Sequence, residues 1–471
     1  MADGPNEVLA SLLAELGWSP RALARRINHV FGVGTVADTA AYHWRDSGCV
    51  PRPPLPELAA WVLARELGRP VTPAELWQGR ASGSPLVLPA DIDMNGSWSR
   101  AATLGLLDDW VAAGLLDRRH FLAVSGTTML DITTGYPMGD SGRLAAALER
   151  GSVGNPLLDQ IEQSIPLLQR LDDTHGGGAY LPYVGAQFRA VALLLRQGGH
   201  AAGVERRLFA ALAEIGLLAG RMALDAGRHG LAQRYLFTAL RAAREAGYHE
   251  MAAHVLADLA FQAATREYPR DAIALGQAAV RVATVSPAGV RALMQNRFAY
   301  GHALAGRLDD FERAYATSLD ILAGRDLAQE PTGMDYLTSN HLDTKAGQAL
   351  AHAGTLAVAA GDRQTGIALL SRSERLLRNG AHDLPVDHPA QRRALFEGAW
   401  LAVAAAGQGD LEQACTIGSL AVTRLNAVQS ARSAQVLRLL AKRLRRCSRN
   451  EYVRDFSPTL DAAVARQPVP A

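Results

Sequence analysis

The sequence predicts an all-α protein, with a small N-terminal helical domain followed by a long array of helical hairpins. Three observations carry this expectation. Sustained apolar–polar alternation and β-branched runs are scarce, so strand signals are few. From about residue 101 to 450, Ala- and Leu-rich segments follow one another, broken by Gly-containing turns. Five turn-plus-helix segments within that stretch share one pattern of small and large side chains.

Composition narrows the function classes. The chain has 471 residues, 48% hydrophobic and 20% charged, with net charge +2. That is room for two to four domains, and too apolar for a disordered chain. Cys49, Cys415 and Cys447 form no C-x-x-C pair. This argues against a disulfide framework and cysteine zinc sites, and favours a reducing cytosol. No apolar run reaches the ~18 residues of a membrane helix. The opening MADGPNEV carries acids where a signal peptide carries bases. A cytoplasmic protein without membrane contact is expected. The expected organisation is a domain at 1–80, a Ser/Gly/Pro-rich linker at 81–100, a bridging or capping region at 101–205, the array at 206–450 and a tail at 451–471.

The N-terminal elements follow in order. NEVLASLLAELG (6–17) is a helix ending at Gly17. Ser19-Pro20 is a helix start, with Ser as cap and Pro at the first helical position. RALARRIN (21–28) continues that helix and buries Leu23 and Ile27. HVFGVGT (29–35) is a turn, and TVADTAAYHWRDSG (35–48) a third helix. CVPRPP (49–54) crosses in extended form to a fourth helix, LPELAAWVLARELG (55–68). TPAELW (72–77) starts a fifth.

The strings LARRIN, HWRDSG and PRPPLPELAAWVLARELGR resemble the Xre/Cro-type helix-turn-helix domain over about 75 residues. The resemblance implies that the third helix enters the major groove of double-stranded DNA. Thr35, Asp38, Thr39, Tyr42 and His43 would then face base edges, with Asp38 favouring the helix N-terminus ahead of a cytosine contact. Ser19, Arg21, Arg25 and Arg45 suit the phosphate backbone, and Arg52 backbone or minor groove. Trp44 falls at a core position. Residues 1–80 hold eight arginines against eight carboxylates, so any DNA contact relies on local clustering.

The array rests on AGRHGLAQRYLFTAL (226–240), REYPRDAIALGQAAV (266–280), AGRLDDFERAYATSL (305–319), AGDRQTGIALLSRSE (360–374) and QGDLEQACTIGSLAV (408–422). Each places a small residue after the turn, at Ala232, Ala272, Ala314, Gly366 and Ala414. Small residues upstream, at Gly220, Ala260, Gly354 and Ala402, let paired helices approach closely. The pattern resembles tetratricopeptide repeats, lengthened to marker spacings of 40, 42, 52 and 48. That implies a superhelix with a concave face. His254, Asp258 and Gln262 share one helix face there, followed by Gln295, Asn296 and Tyr300, then Asn340 and Asp343. Such a ladder matches the backbone donors and acceptors of an extended peptide.

No catalytic, metal or cofactor constellation emerges. HDLPVDH (382–388) reads as a helix-capping turn. GGG (176–178) and GVG (32–34) lack a βαβ setting, and Ser125 lacks a nucleophile elbow. Residues 424–454 carry nine basic residues, on an amphipathic helix expected at about 428–449.

The whole layout, with LDRRHFL (116–122) and MALDAGRHGLAQRYLFTALRAAREAG (222–247), resembles actinobacterial regulators joining an Xre-type domain to a tetratricopeptide array. This implies a homodimeric, sequence-specific transcriptional regulator of secondary metabolism or development. Its array would sense a peptide, small molecule or protein. A protein–protein adaptor whose head does not bind DNA is the alternative, and a ligand-buffering or enzyme-associated protein a third.

Overall fold

The structure, a computed structural model, describes residues 4–31, 35–52, 54–81, 98–112, 155–330, 334 and 336–467. LDRRHFL, Ser125, the GVG turn and most of the expected linker lie outside the described residues. Secondary structure among the described residues is entirely helical. The chain divides into two compact units: Met1–Gly96 with Ala112–Gly135, and Ser97–Val111 with Tyr136–Ala471.

The first unit holds α1 (Glu7–Glu15), α2 (Pro20–Phe31), α3 (Ala40–Asp46), α4 (Leu55–Leu67) and α5 (Pro73–Leu76). Asn6 fastens its two ends. Its Oδ1 accepts the Leu9 N–H at 2.9 Å, capping α1, while its Nδ2 donates to the Leu76 carbonyl at 3.0 Å. Leu9, Leu13, Leu23, Ile27 and Leu63 are sealed from solvent. Trp44 packs edge-on against Trp77, with ring centres 6.3 Å apart. The second helix runs to Phe31, past its expected end at 28, because Val30 and Phe31 continue its buried stripe. The third helix starts at Ala40, not 35. Asn28 Nδ2 donates to the Val36 carbonyl at 2.8 Å, and its Oδ1 accepts the Val36 N–H at 2.9 Å. Both backbone groups that a helix would use at Val36 are thereby taken.

The second unit opens with α6 (Arg100–Ala112), followed by seven hairpins. These are α7 (Asn155–His175) with α8 (Gly177–Gln197), α9 (Ala202–Asp225) with α10 (His229–Glu245), and α11 (His249–Thr265) with α12 (Pro269–Val282). Next come α13 (Ala288–Leu304) with α14 (Leu308–Ala323), α15 (Ser339–Ala359) with α16 (Arg363–Leu377), and α17 (Gln391–Gln408) with α18 (Leu411–Ala427). The last pair is α19 (Ala431–Leu444) and α20 (Glu451–Ala465). All five turn segments singled out in the sequence are hairpin turns. The small residues act as expected: a Cβ on Gly220 would lie 2.7 Å from Leu236 of the partner helix.

Three stretches differ from expectation, the first being 155–197, expected in the bridging or capping region and found as the first hairpin of the array. Residues 451–465 are not a tail, because Val453, Phe456, Leu460 and Val464 form a buried stripe that docks α20 on α18 and α19. Trp98, expected in the linker, belongs to the second unit, with the Arg241 guanidinium 4.9 Å from its ring centre.

The array also closes on itself. The Gln429 N–H donates to the His175 carbonyl at 3.0 Å, and the Gly178 N–H donates to the Gln429 carbonyl at 3.3 Å. Asp225, at the end of α9, accepts from Ser430 Oγ and Arg432 Nη2, both at 2.9 Å. Arg392 of α17 reaches Asp173 at 2.8 Å and Asp172 at 3.0 Å on α7. The GGG run sits at this seam. A Cβ on Gly177 would fall 2.2 Å from the Met222 carbonyl oxygen, so only glycine admits that approach. The solenoid therefore closes into a ring, and its concave face is a central cavity.

Candidate functional site

In the first unit, α2 and α3 present the residues singled out for DNA. Ser19 Oγ accepts the Ala22 N–H at 3.2 Å, capping α2. Arg21 and Arg25 stand exposed on that helix and converge on Asp38, at 3.2 and 3.9 Å. Asp38 and the half-buried Thr35 precede α3. Thr39 is the N-cap residue of α3, and its side chain makes no capping bond. Tyr42 and His43 are exposed on α3. The Arg45 guanidinium lies 5.5 Å from the Tyr42 ring centre and donates to Asp46 at 2.6 Å. That hydrogen bond holds the Asp46 carboxyl below its usual range. Arg52 is exposed in the crossing between α3 and α4. Each of these ion pairs lies at the surface, where water and salt screen the attraction and leave it weak.

The ring of the second unit encloses a cavity of about 320 Å³, within the range of small-molecule sites. The first helix of every hairpin contributes to its wall: α7 through Asp173, α9 through Arg221, α11 through Asp258 and Phe261, and α13 through Arg297. Lys345 and Gln348 come from α15, Arg392, Arg393 and Phe396 from α17, and Arg432 from α19. Most of these cations have a carboxylate behind them. Arg221 pairs with Asp258 at 2.5 Å, Arg393 with Glu397 at 2.8 Å, and Arg432 with Asp225 at 2.9 Å. Lys345 Nζ stays 3.7 Å from Glu397. Burial, opposed by Glu397, lowers the Lys345 amine to about 7. Arg297 rests on the Phe261 ring, 4.6 Å from its centre. Burial there lowers its affinity for its proton.

Of the eight ladder residues, one reaches this cavity: Asp258. His254 lines a neighbouring pocket of about 200 Å³ and is held neutral by burial, at about 4. Gln262 Nε2 donates to the His229 carbonyl at 2.8 Å, and Asn296 Nδ2 donates to the Leu342 carbonyl at 3.1 Å. Tyr300 meets His352 Nδ1 at 3.1 Å. Asn340 donates to the Asn379 carbonyl at 2.7 Å, and Asp343 accepts from the Tyr315 hydroxyl at 2.5 Å. These five side chains join helix to helix. Gln295, half-buried on α13, is not part of the cavity wall. The cavity cations escaped the sequence reading. Lys345, one of two lysines in the chain, stands among Ala, Gly and Leu in DTKAGQAL, an available signal.

Residues 9–77 match the family model described as the SP15 N-terminal domain. The match runs from within α1 to just past α5. No curated protein matches the chain. Among the described residues, no group of three or more His, Cys, Asp or Glu is placed to hold a metal ion. None of their helices is long and apolar enough to cross a membrane.

Proposed function

We propose that this protein is a cytoplasmic, sequence-specific DNA-binding regulator whose helical ring senses a ligand. One observation carries the reading: α3 offers Tyr42, His43 and Arg45 from a packed five-helix core, beside Arg21 and Arg25 on α2. Helix-turn-helix docking uses this combination, with base edges met from the second helix of the motif and phosphates from the flanking cations. The Xre-like strings support it. A single such head buries little surface on DNA, so the reading includes a homodimer on two half-sites of promoter DNA. Ligand occupancy would alter DNA affinity through a free-energy coupling between ring and head.

Immunoprecipitation from native cells, with sequencing of the bound DNA, tests the proposal. The control is the Tyr42→Ala, Arg45→Ala double variant, whose changes fall outside the sealed core. A few sharp peaks sharing a palindrome, lost in the variant, are expected. Equal recovery of DNA by wild type and folded variant would sink the docking model.

A second reading is favoured by the charge arrangement. Asp38 faces Arg21 and Arg25, and Asp46 faces Arg45, so much of the positive charge of this face is opposed locally. A protein–protein adaptor would use such a face. It would co-precipitate a protein partner without enriching DNA.

A further inference from the structure

The hydrogen-bonding balance of the central cavity is one-sided. Arg221, Arg392, Arg393 and Arg432 each have a carboxylate within hydrogen-bonding distance. Arg297 has none at that distance among the described residues; the Phe261 ring face holds its guanidinium, and Asp258 attracts it from farther off. Gln348 is 1% exposed and lines the same wall, yet its Nε2 has no acceptor. Arg392 Nε is also buried without one. Lys345 Nζ stands beyond hydrogen-bonding distance of Glu397, its nearest acid partner. The unmet groups here are mainly donors, from α13, α15 and α17, alongside His341 Nδ1 on the same wall and the acceptor Asp172 Oδ1 behind Arg392. Buried donors left without acceptors are costly, and a surplus on one side marks a missing acceptor.

We propose that the cavity binds a small organic phosphate, with Arg297, Lys345 and Gln348 donating to the phosphoryl oxygens and Phe261, Phe396 and Tyr336 bordering the organic body. A phosphoryl group presents several acceptor oxygens and no obligatory donor, which matches the unmet set. Guanidinium forks match its geometry, and an ammonium adds a point charge. A peptide fits less well, because each backbone N–H it brought would need an acceptor, and most carboxylates near the wall are already engaged by arginine. The volume of about 320 Å³ suits a sugar phosphate or nucleoside monophosphate. Within the regulator reading, this deepens the sensor function of the ring; it does not depend on DNA binding.

Calorimetric titration of the full chain tests it, using pyrophosphate, glucose 6-phosphate and adenosine monophosphate, with glutarate as the dicarboxylate comparison. One phosphate probe per chain is expected to bind, more weakly as salt rises. Arg297→Met should weaken it by about ten- to hundredfold, and Gln348→Leu by about tenfold. The ligand-free Arg297→Met protein should melt no lower than wild type, since a buried cation with no hydrogen-bonded carboxylate is gone. Four outcomes would overturn the proposal: no phosphate probe binds, glutarate binds tighter than all of them, Arg297→Met binds as tightly as wild type, or that variant melts well below it. The DNA immunoprecipitation is read separately. Failure of phosphate binding with DNA enrichment intact removes the ligand class and leaves the regulator standing.

Discussion

Asp225→Ala would open the seam of the ring. The Asp225 side chain is 1% exposed and accepts from Arg432, Ser430 and the Gly177 N–H. Its removal leaves Arg432, 15% exposed and stacked 4.3 Å from the Phe396 ring centre, without its carboxylate. Removing one partner of a buried pair costs about 3–5 kcal/mol, and the cavity side of Arg432 retains some solvent, so we take the lower figure of about 3 kcal/mol. That corresponds to about a hundredfold rise in local opening. Hydrogen exchange read by mass spectrometry should show it in peptides covering 172–180 and 425–435, while α11 and α12 exchange at their wild-type rate. An Arg432→Met change in the same chain should recover most of the loss, because the orphaned charge is gone. Unaltered exchange at the seam, or a rise spread evenly over all hairpins, would refute the closed-ring account.

Further expectations concern separate elements. Gly177→Ala drives a Cβ into the Met222 carbonyl and should raise exchange at the same seam peptides without disturbing the first unit. Asn28→Ala removes both bonds to Val36 and should destabilise the first unit by about 1–2 kcal/mol in urea unfolding, with the entry to α3 fraying first. Phe456→Ala vacates the contact with Gly418 and should cost about 3 kcal/mol, releasing α20 to limited proteolysis. Lys345 binds its proton more weakly in the folded chain, at about 7 against 10.5 unfolded. The unfolded state therefore holds more protons between those values, and stability from this residue rises with pH across that window. Lys345→Met should therefore flatten the slope in urea melts taken from pH 7 to 10.

The hairpins were legible because their information is local. Gly220 and Leu236 stand 16 residues apart, and their fit is one of size, which composition reveals. The start of α3 was not legible, because it turns on which way one amide, Asn28, bonds. The cavity was hidden for a different reason. Its wall takes one to three side chains from each of seven helices, and no window of sequence holds more than a fragment. The polar ladder drew attention to amides and tyrosines that prove to join helices, such as Gln262 and Asn296, while the arginines on the inner helices were not singled out. Closure was equally remote, since Asp225 and Arg432 are 207 residues apart.

That separation has a temporal consequence. An open solenoid can consolidate hairpin by hairpin as it leaves the ribosome. Here Asp225 emerges 207 residues before the arginine that neutralises it. At roughly 5–20 residues per second, the nascent ring waits roughly 10–40 s with its first edge unsatisfied. Every earlier hairpin can already be stacked, yet the cavity has no last wall until α19 arrives. A message truncated before residue 432 would yield a helical, stacked product that cannot close, so completion of the central cavity reports that the chain has been made through α19.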